Sequence, residues 1–318
     1  MDSNVSGFAS INGGFRMTFK LLVFVSCGLT ALLFAVAAEA QSDFARTHGK
    51  FLMGATQPAP EFVLNFSYQP DVGTEDKNIQ TDLVKVKTRL GTVFGVNEDV
   101  AIVTSLNYGL RSYAFDGSTL DVSLHEIALE LGVNWFLSDR ILLSATFRPG
   151  IFSDLDESLT GDDIQYQGTA VGTYQWSDKL FFKLGAAVRE DFDKLSVVPV
   201  AGFTWVSSDQ LRVDVLLPRF ATITWQPWVN SSILIVPGLH LEGQQYHVDT
   251  ALGDGDVQIQ DIRFDITASY EVAEAARVSL SVGSNFRGKY EVEGDGGFKA
   301  KADQDPSVYL AVGLSSNF

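Results

Sequence analysis

His240 and Glu242 are two positions apart in a stretch in which apolar and polar residues alternate. Side chains two apart on an extended strand share one face. An imidazole beside a carboxylate could work as an acid–base pair or hold a metal ion. It could equally be a polar pair that satisfies only its own hydrogen bonds. We favour this second reading, because buried polar groups need partners whatever their role.

Other signatures of catalysis are missing from the sequence. It has no Gly-rich phosphate loop, no cluster of cysteines and no His-Glu-x-x-His motif. It also lacks the His-x-Ser of outer-membrane lipid hydrolases and the Asp-x-His of barrel proteases, and His247-Val248-Asp249 has the reverse order. We therefore expect a protein that is not an enzyme and that has neither a metal site nor a cofactor.

Lys85, Lys87 and Arg89 form a basic stripe with a period of two. Three cations on one face of a strand could attract anionic solutes. They could also be matched by Glu126 and Glu130 on a nearby strand, and we favour this pairing because buried charges need counter-ions.

The elements that must carry these residues are long strands. Apolar and polar residues alternate through 121–137, 257–271 and 277–291. Alternation over ten or more residues indicates half-buried strands. Strands of soluble proteins usually have about five or six residues, whereas a tilted strand that crosses a bilayer needs about nine to eleven.

The connections between the strands also alternate in character. Short breaks such as Ser138-Asp139 and Ser177-Asp178 take turns with longer, acidic, Gly-rich links such as 153–163 and 293–305. Short turns at one end and long loops at the other are typical of bacterial outer-membrane barrels. The acidic loops could hold divalent cations together with lipopolysaccharide phosphates, or they could simply be solvated.

All five tryptophans lie within a few positions of a short turn. Trp prefers the membrane–water interface, so we predict an aromatic girdle at the short-turn end. The alternative is that these residues pack a sandwich core near the hairpin ends. The predicted girdle residues are Trp135, Trp176, Trp205, Trp225 and Trp228.

The segments add up to a transmembrane antiparallel up-and-down β-barrel of about 14 strands. The pair 210–217 and 220–226 is short and joined through Pro218, which cannot donate a ladder hydrogen bond. If this pair does not span the membrane, the count falls to 12. Either even number brings both ends of the barrel to the periplasmic side.

The N-terminal residues 1–40 are predicted to be a signal peptide. Arg16 and Lys20 precede an apolar run, and Ala38-Glu39-Ala40 provides a cleavage site, with translation starting at Met1 or Met17. An uncleaved membrane anchor is the alternative. Residues 41–60 are expected to form a periplasmic N-terminal tail, and residues 61–318 the outer-membrane barrel.

Composition excludes two classes of protein. The single cysteine, Cys27, lies in the predicted leader, so an exported chain would have no disulfides. The net charge of the 318 residues is −16, which argues against a nucleic-acid partner because such proteins present a basic face.

Charged residues within the strands should point inward, since the outer face of a membrane barrel must be apolar. They would either line a polar, water-filled passage or pair across a narrow lumen and merely hold the barrel together. The predicted lumen-lining residues are Lys85, Lys87, Arg89, Arg111, Glu126, Glu130, Arg148, Lys183, Arg212, Asp214, His240, Glu242, Asp261, Arg263, Asp265, Arg287 and Lys289.

The chain ends YLAVGLSSNF, in which Leu310, Val312, Leu314 and Phe318 alternate with polar or small residues. This tail resembles the C-terminal signal that the barrel assembly machinery reads in bacterial outer-membrane barrels, with Leu314 and Phe318 as its main residues. Ser316 departs from that signal, which usually has an apolar residue there. Together with LLPRFATITWQP (216–227), the mature chain resembles proteobacterial outer-membrane barrels known only as a domain of unknown function. The resemblance implies fold and location, and it transfers no catalytic residues.

These observations predict a protein of the bacterial outer membrane, exported through a cleaved signal peptide. Its expected partners are outer-membrane lipid, lipopolysaccharide and the barrel assembly machinery. The favoured function is a passive pore or channel for small or hydrophobic solutes. The alternatives are a structural or surface-interaction barrel with a closed lumen, and a lipid-modifying barrel enzyme that uses a His–carboxylate pair.

Overall fold

A computed structural model describes residues 61–73, 80–115, 121–156, 158–191, 194–250, 253–273, 275–294 and 298–317. The predicted signal peptide, the predicted tail at 41–60 and Phe318 lie outside the described residues. In the ranges just given, no helix is long and apolar enough to cross a membrane.

The described residues form long β-strands joined by turns and loops. The strands are β1 Glu61–Gly73, β2 Gln80–Gly95, β3 Val100–Phe115, β4 Asp121–Ser138, β5 Ile141–Ser153, β6 Ile164–Ser177, β7 Leu180–Asp191, β8 Lys194–Ser208, β9 Leu211–Leu217, β10 Phe220–Trp225, β11 Ile233–Thr250, β12 Gly253–Ala273, β13 Ala276–Gly294, β14 Phe298–Gln304 and β15 Ser307–Asn317.

The strands close into an antiparallel up-and-down barrel. Each strand from β1 to β13 pairs with the next, and β15 pairs with both β13 and β1. β14 and β15 pair with opposite ends of β13 and so occupy one position of the wall. The wall therefore has 14 strands, as predicted, and two of them are the short strands β9 and β10.

The alternation in the sequence becomes an apolar outside and a mixed inside. On β4, Leu129, Leu131 and Trp135 are 43%, 45% and 48% exposed, whereas Asn134 and Phe136 between and beyond them are 4% and 3% exposed. Outward side chains of a closed barrel have no protein to pack against, so the exposed residues are the outward ones. Because many of these exposed residues are large and apolar, the outer surface is apolar over most of the wall.

The wall is incomplete above its shortest hairpin. β8 pairs with β9 only from Ala201 to Ser208, and β11 pairs with β10 only from Ile235 to His240. The hairpin thus starts at the short-turn end and stops partway up the barrel. In the described part of the chain, no strand adjoins residues 194–200 of β8 on that side, and this leaves a wall gap between upper β8 and upper β11.

Pro199 fits this gap. The N–H of Val206 donates to the carbonyl of Lys179 (2.8 Å), so even-numbered residues of β8 bond towards β7. The backbone nitrogen and carbonyl of residue 199 therefore point away from β7, towards the gap. Proline has no N–H and is tolerated where no ladder bond is required.

Upper β11 stays paired with β12 as far as Thr250 and also contacts β5 across the barrel. His247 pairs in parallel with Ser153 of β5, although five wall strands separate β5 from β11 along the sheet order. The side-chain amide of Gln165 on β6 donates to the carbonyl of Gln245 (3.2 Å). β11 thus crosses the interior near the long-loop end.

Arg287 and Lys289 are the exceptions to the predicted lumen residues. A β-bulge between Ile262 and Arg263 shifts the register, so that Arg287 lies opposite Ile262 and Lys289 opposite Gln260. Residues paired across an antiparallel ladder share a face, and Ile262 is on the outer face. The extra residue of the bulge therefore moves both cations outside and turns Tyr290 inward against Tyr113.

Candidate functional site

The most deeply buried charges form an ion-pair cluster that crosses the lumen. Asp261 on β12 accepts from Lys85 Nζ on β2 and from Arg111 Nη1 on β3, both at 3.0 Å. Asn285 Nδ2 donates to its other oxygen at 3.1 Å. Because β1, β15 and β13 separate β2 from β12 in the wall, these bonds span the interior.

Glu242 on β11 extends this cluster. It lies 2.8 Å from Lys87 Nζ and 3.6 Å from Arg111 Nη2, and it also accepts from Arg263. The cations around Asp261 and Glu242 outnumber these two carboxylates. The basic stripe is therefore paired, but Lys85 and Lys87 pair across the lumen and not with the predicted glutamates.

Nearer the short-turn end, the ion pairs run between strands on the same side of the barrel. Arg89 lies 3.0 Å from Glu130 and 3.3 Å from Glu61. Arg148 donates to Glu126, and its other amine bonds Gln167 at 3.1 Å.

His240 and Glu242 have different partners. The His240 ring nitrogen lies 3.5 Å from Asp265, which also accepts from the Tyr309 hydroxyl at 2.8 Å. Glu242 is held by cations instead. The pair is therefore not arranged for acid–base chemistry, and among the described residues no group of three or more His, Cys, Asp or Glu is placed to hold a metal ion.

A cluster of buried apolar side chains lies inside the barrel towards each end of these charges, and we call the two clusters the closures. The long-loop end holds a cluster that includes Leu83, Phe152 and Ile259, with Tyr246 of the inward-leaning β11 packed edge-on to Phe152. The short-turn end holds a second cluster, which consists of Val93, Ala101, Val103, Phe136, Leu142 and Phe181.

Between the two closures lies a water-accessible space, which we call the chamber. Its lining side chains keep accessible surface: 49% for Lys87, 32% for His240, 29% for Arg89 and 25% for Glu242. Asp261 in the cluster above is only 1% exposed. A charged side chain inside a closed wall can stay this accessible only where there is room for water.

Lys183 belongs to a separate buried group on the neighbouring part of the wall. It lies 3.7 Å from Asp214, which also accepts from Arg212 and from the Thr204 hydroxyl. Thr204 is fully buried. This group packs β7, β8 and β9 together.

The structure places most of the predicted lumen residues inside, and it adds Glu61, which the sequence did not single out. Glu61 is the first residue of β1. Inside are Lys85, Lys87, Arg89, Arg111, Glu126, Glu130, Arg148, Lys183, Arg212, Asp214, His240, Glu242, Asp261, Arg263 and Asp265.

The tryptophans are all exposed on the barrel surface close to the short turns. Their exposed fractions run from 43% for Trp205 to 65% for Trp176 and Trp228. Leu314 points outward between Leu64 and Val278 on the adjoining strands.

In the acidic loop between β5 and β6, Asp163 has a structural role. Burial opposes its ionisation, but hydrogen bonds from Ser153 and from the backbone and hydroxyl of Thr160 lower the pKa of Asp163 below its ordinary value. The carboxylate thereby fixes the fold of the loop beside Ser153.

The model of one protein family matches residues 99–317, and that family is described as a domain of unknown function (DUF6268). The chain belongs to this family. The proteobacterial origin stays a prediction. Comparison of this DUF6268 protein with curated proteins found no match.

Several solved barrels are similar to this DUF6268 protein at low identity. The COG4313 outer membrane channel from Pseudomonas putida F1 is 10% identical, with a TM-score of 0.44 over 83% of this chain and 97% of that one. The TodX monoaromatic hydrocarbon channel, as a deletion mutant, is 12% identical, with a TM-score of 0.40 over 83% and 92%. The KdgM porin is 10% identical, with a TM-score of 0.38 over 81% and 99%. Likeness at this level does not extend to function.

Proposed function

We propose that this DUF6268 protein sits in the bacterial outer membrane with its short turns towards the periplasm. The apolar outer face supports this placement, because exposed Leu, Ile, Val and Phe side chains cover it strand after strand. Monomeric soluble proteins rarely expose contiguous apolar surface of that extent. The exposed tryptophans near the short turns would form the periplasmic half of an aromatic girdle.

We propose further that the protein is a gated channel for small polar solutes. The observation that carries this proposal is the chamber, a charged and water-accessible space held between two closures. A barrel that served only as a scaffold would gain nothing from hydrated charges at its centre, since buried ions cost free energy unless they are paired.

The closures make the described conformation a closed one. Lys85, Arg111 and Asp261 bridge the lumen, and Tyr246 and Val248 of β11 fill the space beside them. Upper β11 is the element that we expect to move, because among the described residues no strand fills the wall position beside upper β8. Movement of β11 from β5 towards that position would draw Glu242 and Tyr246 out of the lumen.

Current through planar bilayers tests this proposal. We expect purified, heat-modifiable protein in KCl to give brief openings separated by long closed periods. A control sample unfolded by boiling should give none. Folded protein that passes no current at any voltage or salt concentration would favour the closed structural barrel instead.

A second candidate is a lateral route for hydrophobic solutes, and the wall gap favours it. Leu195 and Val197 on the open part of β8 are 74% and 62% exposed, more than most outward side chains of the wall. A solute in the outer leaflet would meet these residues at the edge of the gap.

Thiol labelling tests the lateral route. Val198 points inward beside the gap, so Val198→Cys should react with a lipid-soluble maleimide added to proteoliposomes. Val103→Cys is the matched control, because Val103 also points inward but is 4% exposed within the closure at the short-turn end. An unreactive Val198→Cys would eliminate this candidate.

A further inference from the structure

The outer face of β12 and β13 changes from apolar to charged at a defined level. On β12 the outward residues are apolar from Tyr270, near the short turns, up to Ile262. This run is about nine residues long, and a tilted strand needs about nine to eleven residues to cross a bilayer. The bulge places Arg287 opposite Ile262 and Lys289 opposite Gln260. These two cations therefore lie where the apolar band ends, on the side of the long loops.

The hairpin of β13 and β14 adds two further cations to this surface. Residues two apart on a strand share a face, so Glu291 and Glu293 follow Lys289 on the outside. Lys301 lies opposite Glu291, and Lys299 lies opposite Glu293. The side chains of Lys299 and Lys301 are 62% and 63% exposed. We call the four cations of this surface the outer patch, which consists of Arg287, Lys289, Lys299 and Lys301.

The ammonium groups of the outer patch lie nearer the solvent than the carboxylates that they contact. Glu291 accepts from Lys289 and, at 3.0 Å, from Lys301, although the Glu291 side chain is only 17% exposed. Two ammonium groups thus share one recessed carboxylate. Lys299 pairs with Glu293, which is 39% exposed. The surface that a neighbouring molecule meets is therefore formed mainly by cations.

The outer patch keeps an excess of positive charge. Arg287 is exposed and has no ion-pair partner among the described residues. With Asp303, which lies opposite Lys289, and with Glu291 and Glu293, three carboxylates face the four cations of the patch. The excess is local, because the chain as a whole has a net charge of −16.

We propose that the outer patch binds the phosphate groups of lipopolysaccharide in the outer leaflet. A guanidinium group holds a phosphate through two parallel hydrogen bonds, and ammonium groups add point charges beside it. The acyl chains of the same molecule would lie along Phe264 and Phe286, whose stacked rings are 6.5 Å apart on the apolar face next to Arg287. The proposal rests on the proposed outer-membrane placement, and it assigns lipopolysaccharide to the strand surface instead of the acidic loops.

Titration of lipids into the folded protein in detergent, followed by native mass spectrometry, tests the patch. The probes are lipid A with both phosphates, lipid A without phosphates, and phosphatidylglycerol. We expect the first to bind most tightly. Arg287→Gln with Lys289→Gln should weaken its binding by about thirtyfold, because each cation near an anionic lipid surface contributes about fivefold. Arg140→Gln with Lys179→Gln removes an exposed arginine and an exposed lysine at the short-turn end, and it should leave the binding unchanged.

A variant with the opposite expectation guards against loss of folding. Glu291→Gln frees Lys289 and Lys301 from their shared carboxylate, so lipid A with phosphates should bind more tightly. The patch is wrong if this lipid A binds no better than either of the other probes, or if the two double variants bind alike.

Cell fractionation separates failure of the patch from failure of the placement. Protein that is found in the outer-membrane fraction but does not bind lipid A would overturn the patch alone. Protein that is absent from that fraction would overturn the proposed placement and, with it, lipopolysaccharide as the occupant.

Discussion

Lys85 Nζ lies 3.0 Å from Asp261 Oδ2 across the inside of the barrel, and both side chains are almost completely buried. Arg111 reaches the same oxygen at 3.0 Å. This carboxylate on β12 is shared by cations of β2 and β3, so it ties these three strands together across the interior. This bond both stabilises the barrel and obstructs the lumen, so its removal should affect stability and conductance together.

Asp261→Asn should destabilise the barrel, because it leaves Lys85 and Arg111 buried without their carboxylate. Loss of one partner from a buried ion pair costs about 3–5 kcal/mol. Urea unfolding followed by heat-modifiable gel mobility measures the change. Asp303→Asn is the control, since Asp303 is exposed on β14. Equal midpoints for the two variants would show that the bridge contributes nothing.

Glu242→Gln should make the open channel prefer anions more strongly. The substitution removes the carboxylate that neutralises Lys87 and Arg263, so the chamber becomes more positive. In a KCl gradient we expect the anion-to-cation permeability ratio to rise by about twofold or more. Glu271→Gln, at the short-turn end, should leave the reversal potential unchanged. A shift towards cations would contradict the account.

The tryptophans should report a shallow position in the bilayer. Lipids brominated near the headgroup should quench the native fluorescence more than lipids brominated at the chain end, because Trp settles at the interface. A variant in which the native tryptophans are replaced by Phe and Phe66 is replaced by Trp should be quenched more by lipids brominated at the chain end. Phe66 is an outward residue midway along β1 and is 47% exposed. Matching profiles for the two proteins would refute the girdle.

The bulge on β13 predicts that Arg287 faces outward. Arg287→Cys should react with a membrane-impermeant maleimide on intact cells, whereas Asn285→Cys should not, because Asn285 is 1% exposed. Without the bulge, strict alternation would put both residues inside. If Arg287→Cys were as unreactive as Asn285→Cys, Arg287 would point inward and the bulge would be wrong.

The success and the failures of the sequence reading have a common physical origin. Alternation is local, so it predicted the long strands, the strand count and the inward direction of residues such as Lys85 and Asp261. Arg287 was placed on the wrong face because one extra residue in a ladder leaves the apolar pattern nearly unchanged while reversing the face.

The closed lumen could not be predicted for a different reason. Lys87 was expected to pair with a nearby strand, and it pairs instead with Glu242 on β11. That partner depends on β11 leaning across to β5, which is a contact between distant parts of the chain. A stripe of cations in a sequence shows that counter-ions are needed, but not from which side of a barrel they come.

A disulfide between β5 and β11 tests most directly whether β11 gates the passage. Ser153 and His247 are paired neighbours, so Ser153→Cys with His247→Cys should form a disulfide on oxidation; the one cysteine of the sequence, Cys27, lies in the predicted signal peptide and is replaced by Ser in both variants. We predict that oxidation abolishes the bilayer current of the double variant, that dithiothreitol restores it, and that Ser153→Cys alone responds to neither. A fully crosslinked double variant that conducts like the wild type would contradict the account.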